Sequence, residues 1–177
     1  ILSATRQWSW VSGGFVRDAN GVYGTMHVPG SVRKGLIDRR NTELLTPGSR
    51  SGAVAWVDSA GDAWLFGGNG FGVAAAGTCA ACTAAGKLND LWKFDYDAAT
   101  PLNSQWTWKG GSSSIENPPN GIYSGDGAYP GGRSHAAVWP DGDGGAWLFG
   151  GKGLDANSTS AGALNDLWRW SSESSTF

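Results

Sequence analysis

Few side chains in this sequence have the type and spacing that chemistry requires. Cys79 and Cys82 form the run CAAC inside a Gly/Ala-rich stretch. That spacing suits a redox pair, half of a zinc site or a local disulfide. A thioredoxin-like pair needs a strand-to-helix setting, which this stretch does not offer. Zinc needs two more ligands nearby, and none is evident. The expectation is a Cys79–Cys82 disulfide made in an oxidising compartment, with two free thiols as the alternative. Asn157-Ser158-Thr159 is an N-glycosylation triplet in a run of Ser, Thr and Asn, so Asn157 is a candidate to carry a sugar. The two features independently point outside the cell.

Catalytic constellations find little support. His27 and His135 are the only histidines and sit in unrelated contexts. No Ser-His-Asp spacing occurs, and GGNGFG (67–72) precedes no helical pattern that would make it a phosphate loop. DGDGG (141–145) opens like a calcium loop but lacks the Glu further on, and it reads as a turn. Asp90 and Asp166 each follow an Asn and recur in register, so they read as turn formers rather than as an acid/base pair. RKGLIDRR (33–40) gathers Arg33, Lys34, Arg39 and Arg40, four of the 13 basic residues. It reads as a solvated loop, with an anion or partner contact as the sharper alternative. A net charge of −2 and the lack of interleaved aromatics argue against nucleic acid. No catalytic residue, metal or cofactor is expected.

The elements that carry these residues are set by an internal repeat. PGSRSGAVAW (47–56) returns as PGGRSHAAVW (130–139), and AWLFGG (63–68) returns at 146–151 with the same displacement. LNDLWKF (88–94) returns as LNDLWRW (164–170) after a shorter loop, WSWVSGG (8–14) matches WTWKGGS (106–112), and GVYG (21–24) echoes GIYS (121–124). The tryptophans follow the repeat. Trp8 answers Trp106, Trp10 answers Trp108, Trp56 answers Trp139, Trp64 answers Trp147 and Trp92 answers Trp168, while Trp170 falls opposite Phe94. Core packing accounts for rings placed this way better than a ligand-stacking platform does, so Trp64, Trp92, Trp147 and Trp168 are expected to be buried.

With 29 Gly and 11 Trp among 177 residues, the chain is built for short strands and tight turns. No apolar run reaches the roughly 18 residues of a membrane span. The chain begins Ile1-Leu2-Ser3 without Met, which suggests a processed product or an excerpt. Each unit reads as four strands. Gly52–Asp58 is the first, DSAGD (58–62) turns the chain, and Ala63–Gly67 returns. Asn89-Asp90 set a turn into Leu91–Asp95, and Trp106–Lys109 is the fourth strand.

A strand ending in Gly-Gly, then an aromatic third strand and a Trp on a fourth, resembles the kelch repeat. The matching residues are Gly67, Gly68, Trp92 and Trp106 in the first unit, and Gly150, Gly151 and Trp168 in the second. Arg50 and Arg133 match too, as does His135, where the first unit has Gly52. The units are longer than the about 50 residues usual for kelch, because loops are inserted. The resemblance is closest to Trp-rich WLFGG/LNDLW arrays of large secreted or surface proteins. It implies an all-β, kelch-type β-propeller of two four-stranded antiparallel blades, the last lacking its fourth strand. The corresponding divisions are an N-terminal fourth strand plus insert (1–46), blade 1 (47–110), an inter-blade loop (111–129) and incomplete blade 2 (130–177).

Alternating strand direction puts the long segments 11–46, 69–87, 111–129 and 152–163 at one end of the blades, where binding usually resides. Trp8–Val11 is a fourth strand without a blade, and Leu167–Ser171, with Trp168 and Trp170, is a third strand without its neighbour. The expectation is that Trp8 and Trp10 pair beside Leu167–Ser171 of another copy or of an adjoining propeller segment, giving a ring or a filament. The function so implied is a non-enzymatic extracellular or cell-surface structural or adhesive glycoprotein whose partners are itself and other protein or glycan surfaces. The alternatives are a fragment of a galactose-oxidase-like copper enzyme, whose fold is shared but whose Cys–Tyr and His ligand pattern has no match here, and an intracellular kelch adaptor.

Overall fold

The computed structural model describes residues 10–30, 45–73, 85–97, 105–115, 120–157 and 159–171. Among them the chain is all-β, with two antiparallel sheets, neither closed on itself. The first holds β1 (Arg50–Ser51), β2 (Val54–Val57), β3 (Ala63–Gly70), β4 (Gly86–Asp95) and β5 (Gln105–Gly110). The second holds β6 (Arg133–Ser134), β7 (Ala137–Pro140), β8 (Ala146–Gly153) and β9 (Gly162–Trp170). No helix of the described residues is long and apolar enough to cross a membrane.

The repeat is reproduced pair by pair. β1 and β2 lie end to end along one edge of β3 in a single register, with Arg50 opposite Gly70 and Val54 opposite Phe66. β6 and β7 lie on β8 in the same way, with Arg133 opposite Gly153 and Ala137 opposite Phe149. Of the expected first strand, Gly52–Asp58, only Val54–Val57 is paired, as β2; β1 lies just before it, separated at Gly52-Ala53, where Gly52 takes a φ of +62° that breaks the ladder. The β3–β4 register slips between Phe66 and Gly68, and the β8–β9 register between Phe149 and Gly151. The cause is the Gly-Gly pair itself. Gly67 and Gly150 have φ of +64° and +62°, and a Cβ on Gly67 would lie 2.8 Å from the Arg133 carbonyl oxygen and 2.9 Å from that of Leu88. Only glycine fits so close a backbone approach at that φ.

The Asp turns behave as expected. Asp58 Oδ1 accepts the N–H groups of Ala60 and Asp62 at 2.9 and 3.0 Å, and Asp141 Oδ1 accepts those of Asp143 and Gly145 at 2.9 and 2.8 Å. Asn89 and Asp90 do not. β4 begins at Gly86, so both lie inside a strand rather than in a turn. Their side chains bond to distant segments instead of to their own backbone: Asn89 Nδ2 donates to Pro130 O at 3.2 Å, and Asp90 binds Arg50 and Tyr23.

The core is where the sheets stack. Val54, Trp56, Trp64, Phe66 and Leu91 of the first meet Ala146, Leu148, Trp168 and Trp170 of the second in one buried cluster. Trp170 lies 4.1 Å from Trp64 and 5.5 Å from Trp56 between ring centroids. By strand alternation, these positions are on opposite faces of the two repeat units. The first unit buries the face bearing Trp56, Trp64, Phe66 and Leu91, whereas the second buries the face bearing Val138, Leu148, Trp168 and Trp170. Trp64, Trp92 and Trp168 are buried as expected, but Trp147, the counterpart of Trp64, is only half-buried and Trp139 is exposed. Nothing among the described residues plays for the second sheet the part that the second plays for the first.

Candidate functional site

The starts of β1 and β4 and the ends of β3 and β5 share one end of the first sheet, and the chain leaving them knits together there. Ser49 N–H donates to Ala19 O at 2.8 Å, Gly21 N–H to Gly72 O at 3.2 Å and Val73 N–H to Ser113 O at 2.7 Å. The second unit repeats the contact, with Gly121 N–H donating to Asp155 O at 3.2 Å. The described parts of the long segments are thus anchored by backbone bonds at their roots.

Below each root lies a four-residue ionic network. Arg50 Nη1 donates to Asp90 Oδ1 at 2.7 Å and Nη2 to Oδ2 at 2.8 Å, a fork-to-fork pair. Arg50 also donates to the carbonyls of Gly48 and Gly67, both at 3.0 Å. Tyr23 Oη and Trp92 Nε1 each donate to Asp90 Oδ2 at 2.6 Å. The second unit matches it atom for atom. Arg133 forks onto Asp166 at 2.6 and 2.8 Å and donates to Gly131 and Gly150, each at 3.1 Å. Tyr123 and Trp168 donate to Asp166 at 2.8 and 2.7 Å. The residues Arg50 and Arg133, singled out on resemblance, thus clamp the Gly-Gly bend to the third strand. Their Asp and Tyr partners were not assigned this role from sequence, although the echo of GVYG by GIYS and the in-register LNDLW carried the signal.

Electrostatics keep these networks charged and closed. Burial would lower the Arg50 guanidinium, but the Asp90 hydrogen bonds and charge outweigh it and raise it. Burial, then the Asp90 charge and hydrogen bond, raise the Tyr23 phenol, so it stays a proton donor. Burial would raise the Asp166 carboxyl, yet the hydrogen bonds from Arg133, Trp168 and Tyr123 prevail and lower it from 3.8 to about 2. A carboxyl depressed in the folded state contributes stability above its unfolded value that is lost as pH falls through the folded one. The melting temperature should therefore drop as pH falls from about 4 to about 2, and Asp166→Asn should remove part of that drop. Superimposable acid profiles for the two proteins would contradict the assignment.

The remaining candidates are dispersed. His27 and His135 both adopt left-handed backbone, with φ of +66° and +58°. His135 lies across the sheet junction: its N–H donates to Gly52 O at 2.7 Å, and its ring fills the space a Cβ on residue 52 would take. That contact explains Gly52 opposite His135 in the repeat. Among the described residues no group of three His, Cys, Asp or Glu side chains converges as a metal site would. Asn157 is exposed, and its N–H donates to Asp155 Oδ1 at 2.8 Å. Cys79, Cys82, Trp8 and the basic run 33–40 lie outside the described residues. Trp106 is half-buried in β5, 4.7 Å from Phe94.

Two surfaces stand open. A pocket of about 450 Å³ on the outer face of the first sheet is lined by Leu65, Phe94, Trp106, Arg50, Trp10 and Val11, among others. Trp10 thus lies against its own first sheet and in no strand. The other surface is the far edge of β9, which pairs only with β8 among the described residues. The equivalent edge of β4 carries β5, and β5 in turn is covered by the insert, where His27 and Gly30 N–H groups donate to Trp108 and Trp106 carbonyls at 2.8 and 3.0 Å.

No protein-family model matches the chain, and no curated protein matches it.

Proposed function

We propose that the two sheets are successive blades of a kelch-type β-propeller, and that the chain is a non-enzymatic structural or adhesive protein of the cell exterior. The observation that carries this reading is the repeat of fold and stacking together. Two in-register units, each with its own Arg–Asp–Tyr–Trp clamp, pack face to back, as blades around an axis do. The inserts rooted at one end form the contact surface for protein or glycan, and Asn157 is the glycan-bearing residue. Cys79 and Cys82 form a disulfide in the 69–87 insert.

Self-association proceeds by strand addition. The far edge of β9, which no strand among the described residues pairs, offers backbone groups to another strand, and Trp8–Val11 has the W-x-W pattern of β5, which fills the equivalent edge in the first sheet. Deleting residues 1–11 is the test. Loss of the oligomer in sedimentation, restored by an added peptide of residues 6–13, is the expected result. An unchanged oligomer would remove strand addition from the mechanism.

A further inference from the structure

The junction between the two sheets joins unlike faces, and among the described residues each sheet has no partner sheet on the face that its neighbour uses, although the chain's own Tyr23 covers Trp92 in the first. In the first sheet Trp56, Phe66 and Leu91 are 7%, 1% and 1% exposed because the second sheet covers them. Their counterparts in the second sheet, Trp139, Phe149 and Leu167, are 44%, 45% and 55% exposed. In the second sheet the covering residues are Val138, Leu148, Trp168 and Trp170. Their counterparts in the first sheet are Ala55, Leu65, Trp92 and Phe94. Leu65 and Phe94 line the open pocket of about 450 Å³, while Tyr23, 4.8 Å away between ring centroids, packs on Trp92.

We propose that a second copy of this chain docks through the Leu65–Phe94 face of its first sheet onto the Trp139–Trp147–Phe149–Leu167 face of the second sheet, repeating the contact made within the chain. The occupant follows from complementarity already realised once. Trp64 and Trp56 pack on Trp170 at the internal junction, and the corresponding contact between copies sets Trp147 and Trp139 on Phe94. The pocket is the vacancy on the receiving face, with Trp10 and Val11 forming part of its wall. The contact is heterologous, so each docked copy presents the same two faces again. The inference rests on the self-association proposed above but assigns it a surface other than the β9 edge.

The test uses the intact chain with one face disabled at a time. Phe149→Asp with Leu167→Asp alters only exposed side chains of the ridge. Phe94→Arg places a charge in the receiving pocket, and Ala55→Glu, at an exposed position on that face, is the substitute should Phe94→Arg fail to fold by near-ultraviolet circular dichroism. Sedimentation equilibrium should show concentration-dependent association of the wild type and a weakening of about 30-fold or more in each variant. Mixing a ridge variant with a pocket variant should then restore one complex of one copy each, because each retains the face the other lacks, and it should grow no further. A monomeric wild type at all concentrations, or folded variants that associate like the wild type, would overturn the docking. So would a mixture that stays monomeric. Deleting only residues 1–9, which keeps the Trp10 and Val11 wall of the pocket, separates this from strand addition. Association lost on deletion but indifferent to the face variants leaves strand addition standing without face docking, and the reverse pattern leaves docking without strand addition.

Discussion

Asp90→Ala is expected to destabilise the protein by about 3–5 kcal/mol. The Arg50 and Asp90 side chains are 7% and 0% exposed, so the substitution leaves a guanidinium with its charge uncompensated in the interior. Its bonds to the Gly48 and Gly67 carbonyls survive, but these satisfy protons without neutralising the charge. The Trp92 indole, fully buried, also loses its acceptor, which adds a desolvation cost of about 1–3 kcal/mol if nothing replaces it. The origin of the effect is separable. Tyr23→Phe removes one donor and no charge, and should cost about 1 kcal/mol. Replacing both charges, Arg50→Met with Asp90→Leu, should recover much of the loss, because a buried pair exchanged for apolar groups is often neutral. Urea denaturation of the four proteins gives the comparison. A loss below about 1 kcal/mol for Asp90→Ala would show that the pair is solvated and the clamp unimportant.

The clamp also shows how much of the molecule was legible in the sequence. The repeat locates Gly67-Gly68 and the Asp turns because each of those roles is local. A left-handed glycine or an Asx turn depends on a few adjacent residues, and alternation fixes which side chains share a face. Asp90 reads as a turn former from sequence because Asn-Asp has the same local signature whether its side chains fold back or reach outward. The deciding partners, Arg50 and Tyr23, are 40 and 67 residues away. The half-buried Trp147 failed for a related reason. Repeat alignment gives equivalent positions equivalent environments only where every unit has a neighbour on both sides, and among the described residues the second sheet has one on a single side. The candidate site was the least legible part, because the pocket exists only as a face that stacking would cover.

That asymmetry yields the second large effect. Trp64→Ala is expected to cost about 3–5 kcal/mol, whereas Trp147→Ala, the same change at the repeat-equivalent position, should cost about 1–2 kcal/mol in the monomer. Trp64 sits between Trp56 and Trp170, with ring centroids 6.1 and 4.1 Å away, and its Nε1 donates to Asp58 Oδ2 at 2.8 Å. Removing the ring opens a cavity in the one junction that holds the sheets together and leaves the Asp58 turn without that donor. Trp147 loses less: it is half-buried, and its ring has the Arg169 guanidinium 5.8 Å from its centroid. A contact of that kind is worth about 0.5–1 kcal/mol at an exposed site. The difference between the two variants is a property of the monomer, so it should be largest at low protein concentration. If copies dock through the Trp147 face, binding stabilises the wild type by mass action and Trp147→Ala forgoes that gain. The melting temperature of Trp147→Ala should then fall further behind the wild type as concentration rises. The deficit of Trp64→Ala at low concentration should already be near its full size. Equal losses for the two variants in dilute solution would mean that both faces are buried in the monomer, contrary to the stacking described.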